Sequence, residues 1–145
     1  MKLHRLFPLA LSLLMIATAC GSTAEADRAS EVQSTADGVR TVAPNVGAAL
    51  QASPPPDLVV LDVRTPEEFS EVHLEGATLV DFYDEDFADQ LAALDPDVPY
   101  LVYCRSGNRS GQATALMQDL GFADVANVDG GITAWVDAGL PVVRP

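Results

Sequence analysis

Lysine is nearly missing from this 145-residue chain: Lys2 is the one example, and seven arginines supply the remaining basic charge against 21 Asp and Glu, for a formal net charge of −13. Phosphate backbones are bound by clustered basic residues, so nucleic acid is excluded as a partner. Cysteine is almost as scarce. The two examples, Cys20 and Cys104, sit in unlike surroundings. No pair is left for a structural disulfide and no cluster for a metal, and neither metal nor cofactor is expected. Long apolar runs are also lacking. The best stretch, Leu6 to Ala17, is broken by Pro8 and falls short of the roughly 18 residues a spanning helix requires. No internal repeat is present.

Ahead of that stretch stand Lys2, His4 and Arg5, the pattern of an export signal over residues 1–19. The following Ala17-Thr18-Ala19-Cys20-Gly21 resembles the bacterial lipobox, with Ala17 where leucine is usual. That resemblance implies cleavage before Cys20, a lipid on its sulfur, and a membrane anchor on the extracytoplasmic side. Gly21 in place of a retention-type aspartate implies the outer membrane, facing the periplasm, where a cell has two. The competing reading is ordinary secretory cleavage after Ala19, leaving Cys20 a free thiol. Processing at this point would remove Lys2 and Arg5, leaving six arginines and no lysine against 21 acids, a formal charge of −15. Residues 20–38 are rich in Ser, Thr, Ala and acids without apolar periodicity, so they read as a flexible tether.

The remainder, 39–145, is the size of one compact domain. Val39–Val42, Leu58–Val63, Ala77–Val80, Tyr100–Tyr103 and Val125–Val128 are the predicted strands. Several are apolar at consecutive positions, as strands covered on both faces are, so the class is α/β with a mostly parallel five-stranded sheet flanked by helices. Thr65-Pro66-Glu67-Glu68 reads as a capping box opening a helix through Phe69. Phe87, Leu91 and Leu94 share a face of the next, which Asp95-Pro96 ends. Ala113, Leu116, Met117 and Leu120 mark a third helix, with Gly121 just past its end and Phe122 folding back. A last helix, about Ile132–Ala138, closes at Gly139 and Pro141. Met117 and Trp135 belong to the core.

Chemistry concentrates in Cys104-Arg105-Ser106-Gly107-Asn108-Arg109. The cysteine follows a buried strand and precedes a helix start, where backbone N–H groups and the helix dipole favour a thiolate. Arg105 and Arg109 make a basic basin in an acidic chain and could bind an oxyanion with planar donors. Gly107 permits tight curvature, and the amides from Arg105 to Arg109 would form a nest around an anionic sulfur. Ser106, Asn108 and Ser110 are assigned to loop hydrogen bonding or helix capping. The competing reading of Cys104 is an inert buried thiol.

Four stretches in order, Leu61-Asp62-Val63-Arg64-Thr65-Pro66-Glu67-Glu68-Phe69, His73-Leu74-Glu75-Gly76-Ala77, Tyr103-Cys104-Arg105-Ser106-Gly107-Asn108-Arg109-Ser110 and Asp129-Gly130-Gly131-Ile132-Thr133-Ala134-Trp135, resemble the single-domain rhodanese sulfurtransferases. Glu75 and Leu79 depart from that pattern around the Gly-Ala step. The resemblance implies the three-layer rhodanese-like fold over residues 39–145, with the active loop after the fourth strand. It also implies transfer of a sulfane sulfur from thiosulfate or a related small anionic donor, through a Cys104 persulfide, to cyanide or a thiol. A lone thiol in the domain suits that chemistry, because no resolving cysteine is available for dithiol exchange. Asp62 and Arg64 match positions near the family's pocket, where they either orient the loop or form a purely structural pair. His73 matches a packing position. The alternatives are a non-catalytic sulfur carrier or partner-binding module and, in the enzyme class, a cysteine phosphatase or arsenate reductase. The loops of those enzymes have five residues between Cys and Arg, where this one has four.

Overall fold

The computed structural model describes residues 38–145, so the expected export signal, Cys20 and all but the last residue of the expected tether lie outside the described residues. Strands and helices alternate: β1 (Gly38–Val42), α1 (Pro44–Ala52), β2 (Val59–Asp62), α2 (Pro66–Glu71), β3 (Thr78–Leu79), α3 (Phe87–Ala92), β4 (Pro99–Tyr103), α4 (Asn108–Asp119), β5 (Asp124–Val128) and α5 (Gly131–Asp137). The sheet order is β1-β5-β4-β2-β3. Every strand pair is parallel, as the unbroken apolar runs lead one to expect.

Strand β4 lies at the centre, and Tyr100 through Cys104 are all buried. Successive residues face opposite layers, which explains why both parities are apolar. Leu61, Val63, Tyr100, Val102 and Cys104 pack with Leu91, Ala113 and Met117 on one side. Val60, Leu101, Tyr103, Ala126 and Val128 pack with Ile132 and Trp135 on the other. The result is a three-layer α/β sandwich.

Local signals set the helix ends near the site. Thr65 Oγ1 accepts the Glu68 N–H at 3.4 Å and Glu68 Oε2 accepts the Thr65 N–H at 3.2 Å, a reciprocal capping box with Pro66 in the first turn. At the far end of α4, Gly121 N–H donates to the Gln118 carbonyl and Phe122 N–H to that of Met117, the paired bonds of a Schellman motif. Phe122 thereby folds back onto Tyr100, ring centroids 5.2 Å apart.

Three expectations need correction. Helix α1 was not anticipated, because Gly47 in its interior weakens the helical signal. A Cβ at that position would stand 3.0 Å from Trp135 Cζ3, so close packing on the α5 tryptophan is what the glycine permits. Helix α3 ends at Ala92, leaving Leu94 beyond it but still against the core. The third strand is cut to Thr78–Leu79, an edge strand paired only with β2.

Candidate active site

The chain leaves β4 at Tyr103, turns through residues 104–107 and enters α4 at Asn108. Gly107 makes the turn with φ +93°, a left-handed conformation that L side chains resist. Its N–H donates to the Cys104 sulfur at 3.1 Å. Ser110, one turn into α4 and fully buried, places its hydroxyl 3.4 Å from the same sulfur and 3.3 Å from the Gly107 carbonyl. Burial of the Cys104 thiol pushes it up. The Ser110 hydroxyl and the amides of Ser110, Ser106 and Gly107 outweigh that burial, and the net shift is downward. Donors that favour the charged form thus prevail over desolvation. Cys104 is 1% exposed.

The other side of the loop is held by the start of α5. Ile132 N–H donates to the Cys104 carbonyl at 2.8 Å and Thr133 N–H to that of Arg105 at 3.1 Å. This approach requires glycine at 131, where φ is +59° and a Cβ would fall 2.4 Å from the Cys104 carbonyl oxygen. The Gly130-Gly131 step of the sequence therefore serves the cysteine loop directly.

Arg109 is already engaged. Its Nη1 and Nη2 donate to Glu68 Oε2 and Oε1 at 2.7 and 2.8 Å, a fork-on-fork pair, and its Cζ stands 5.5 Å from the exposed Tyr83 ring. The Glu68 hydrogen bonds raise the guanidinium further, with the Cys104 charge among the smaller contributors. Glu68 had no role in the sequence reading beyond its capping box, and i,i+3 spacing from Thr65 gave no hint of a second partner 41 residues away.

Asp62 and Arg64 form a buried pair, 0 and 2% exposed. Arg64 Nε and Nη2 reach both carboxylate oxygens at 2.6–3.0 Å, and Nη2 also donates to the Val72 carbonyl. No hydrogen bond joins the pair to residues 104–109. Its contact with the loop runs through Tyr103, whose ring lies 5.4 Å from Arg64 Cζ and whose hydroxyl accepts the Leu74 N–H. Burial pushes that phenol up, so it stays protonated. His73 stacks on Phe69 at 4.2 Å and hydrogen-bonds its carbonyl through Nδ1, the packing role assigned to it. Asn108 accepts from Gln112 and does not cap α4, whose N-cap is Gly107.

A cavity of about 340 Å3 opens beside the loop, with Arg64, Arg105 and Arg144 and the acids Glu68, Glu71 and Asp137 in its lining. Among the described residues no group of three or more His, Cys, Asp or Glu is placed to hold a metal ion.

The model of the rhodanese-like domain family matches residues 45–138. The chain belongs to that family. The thiosulfate sulfurtransferase GlpE of Pseudomonas entomophila is 35% identical over 96 residues, 66% of this chain and 84% of the relative. The probable adenylyltransferase/sulfurtransferase MoeZ of Mycobacterium tuberculosis is 38% identical over 78 residues, 54% of this chain. The match spans only 20% of that protein's length. Among solved structures, the 30 kDa polysulfide-sulfur transferase homodimer from Wolinella succinogenes is similar at a TM-score of 0.62 and 25% identity, covering 74% of this chain and 80% of that one. Sulfurtransferases thus stand among the relatives of this rhodanese-like domain, and its cysteine loop follows the fourth strand of the parallel sheet.

Proposed function

We propose that this rhodanese-like domain is a sulfurtransferase that carries a sulfane sulfur as a persulfide on Cys104. The observation that carries the reading is the set of donors converging on the Cys104 sulfur, the Ser110 hydroxyl and the loop amides, which lower the thiol despite its burial. The names of GlpE and the Wolinella transferase support it. In the first half-reaction the Cys104 thiolate attacks the outer sulfur of thiosulfate. The donor S–S bond breaks, sulfite leaves with the bonding pair, and the new persulfide retains one negative charge. The amides of Ser106, Gly107 and Ser110 solvate that charge. Arg105, exposed on the rim, binds the sulfonate, and Arg109 contributes its charge and the N–H groups that Glu68 leaves free. Cyanide or a thiol then attacks the outer sulfur and Cys104 leaves as thiolate. Asp62 and Arg64 steady the loop from beneath, through Tyr103.

Four residues between Cys104 and Arg109 make a cradle smaller than a phosphatase loop with five, which disfavours a tetrahedral phosphate. A carrier or partner-binding role would keep the persulfide without turnover on small donors. Residues 1–19 act as the export signal and Cys20 carries the lipid, so the domain works outside the cytoplasm on the tether 20–38. An intact mass from membrane fractions, compared with Cys20→Ser, checks the anchor: equal retention of both forms contradicts it.

The decisive experiment is thiocyanate formation from thiosulfate and cyanide by the wild type and Cys104→Ala, with the mass of the donor-treated protein. Turnover in the wild type alone and a gain of about 32 Da at Cys104 are expected. Activity surviving in Cys104→Ala removes Cys104 from the mechanism, a persulfide without turnover favours the carrier, and comparable hydrolysis of an aryl phosphate revives the phosphatase.

A further inference from the structure

Among the described residues, Tyr83 is the most exposed of the large hydrophobic side chains, at 68%. Burial does not hold its ring, yet the ring has a fixed place. The Tyr83 N–H donates to Asp81 Oδ1 at 2.9 Å, which sets the turn after β3, and the Phe82 ring meets the Tyr83 ring edge-on with centroids 5.6 Å apart. Phe82 in turn stands 5.1 Å from Phe87 and packs on the cluster that contains Cys104, Ala113 and Met117. This loop therefore belongs to the layer in which the Cys104 side chain lies. From it the Tyr83 ring reaches Arg109, 5.5 Å from centroid to Cζ, the arginine whose guanidinium is raised in part by the Cys104 charge.

Two partners thus hold the Arg109 guanidinium, and they act differently. Glu68 takes two of its five N–H donors, whereas Tyr83 takes none and offers the face of a ring. Four of the six residues 81–86 are acidic, and no Lys or Arg occurs between Arg64 and Arg105. In such a run a carboxylate at position 83 would set a second negative charge against Arg109, while an aromatic ring attracts a cation without neutralising it. We infer that Tyr83 is a positioning residue of the donor site: its ring holds Arg109 beside the cysteine loop and leaves the charge and the remaining N–H groups of the guanidinium open to an anion. That the anion is a sulfur donor rests on the sulfurtransferase reading of Cys104. The hold on Arg109 does not.

The test compares two alkylating agents of similar size at one sulfur, anionic iodoacetate and neutral iodoacetamide, with modification of Cys104 in the full chain followed by peptide mass. The ratio of the two rates reads the cation beside the sulfur and needs no sulfur donor. Tyr83→Leu, which removes the π face, is expected to lower that ratio roughly two- to fivefold, and Tyr83→Phe, which keeps the ring, is expected to hold the wild-type ratio. Thiocyanate formation from thiosulfate and cyanide is followed in parallel, where Tyr83→Leu should raise the thiosulfate KM by a similar factor at unchanged kcat. The side chain is exposed, so both variants should fold, and thermal melting verifies it. An equal ratio in wild type and Tyr83→Leu, an equal slowing of both reagents, or a loss in Tyr83→Phe as large as in Tyr83→Leu overturns the inference. So does a lowered ratio with an unmoved thiosulfate KM, since the held charge then serves no donor. Absence of thiosulfate turnover in the wild type removes the sulfurtransferase reading and leaves the ratio to decide the hold on Arg109, whereas intact turnover with ratio and KM unchanged in Tyr83→Leu removes only the role of Tyr83.

Discussion

Arg109 meets Glu68 through two parallel N–H···O bonds of 2.7 and 2.8 Å, tying the first turn of α4 to the first turn of α2. The carboxylate that completes the α2 capping box therefore also holds the arginine of the cysteine loop. In the proposed reaction a donor anion would compete with Glu68 for that guanidinium, and the two effects separate by substitution.

Glu68→Gln should cost about 1 kcal/mol of stability, since both side chains are mostly covered but reach solvent. For a domain of this size the melting temperature should fall by roughly 4–8 °C. The KM for thiosulfate should fall in the same variant, because the freed N–H groups of Arg109 become available to the sulfonate. Initial rates against thiosulfate concentration decide it, and an unchanged or raised KM contradicts the competition.

Acid should remove the same contribution. Hydrogen bonds from Arg109 hold the Glu68 carboxyl below its usual range, so as pH falls the unfolded chain takes up this proton before the folded one does. The stabilisation is fully present above the ordinary glutamate pKa of about 4.3 and is lost as pH drops through the lower folded value. Urea titrations should show a constant gap between wild type and Glu68→Gln from about pH 7 to 5, closing below about pH 4.

Ser110→Ala removes the strongest of the donors that lower the Cys104 thiol. The midpoint of the pH profile for alkylation by iodoacetamide should move to higher pH, and the rate of persulfide formation at neutral pH should drop roughly fivefold, as for one lost hydrogen bond to a charge. A merely structural serine would lower stability and leave the midpoint in place.

Two glycines should respond in opposite directions. Gly131→Ala drives a Cβ to 2.4 Å from the Cys104 carbonyl oxygen at a positive φ, and should lose about 3 kcal/mol or more together with most of the activity. Gly111→Ala, inside α4 with open space around its would-be Cβ, should gain about 0.5–1 kcal/mol. Denaturant midpoints measure both.

Arg64→Met leaves the Asp62 carboxylate buried without its partner and should cost about 3–5 kcal/mol, much of it regained in the double variant Asp62→Leu/Arg64→Met. The double variant also separates the two roles of the pair. Recovered stability with recovered thiocyanate formation makes it structural, whereas recovered stability without activity makes it a support of the loop acting through Tyr103.

What could be read from the sequence was whatever depends on neighbours along the chain. The parallel sheet followed from runs such as Tyr100–Tyr103, buried on both faces. The capping box at Thr65 and the Schellman turn at Gly121 followed from residue types at fixed offsets. Cys104 stood out because strand, glycine turn and helix start adjoin it. The rest depends on contacts distant in sequence. Gly47 marks the place where α1 meets Trp135, a reason invisible along the chain, so that helix escaped notice. Glu68 acquires Arg109, and Arg144 joins Arg105 at one cavity, only once the sheet has brought its elements together.

The amides of Ile132 and Thr133 clasp the carbonyls of Cys104 and Arg105, although these residues belong to opposite sides of β5 in the chain. The turn is therefore backed on that side only while α5 stays docked, so local opening of α5 and loosening of the backbone at Cys104 and Arg105 form one unit, and amide exchange at Ile132 and Thr133 reports on both.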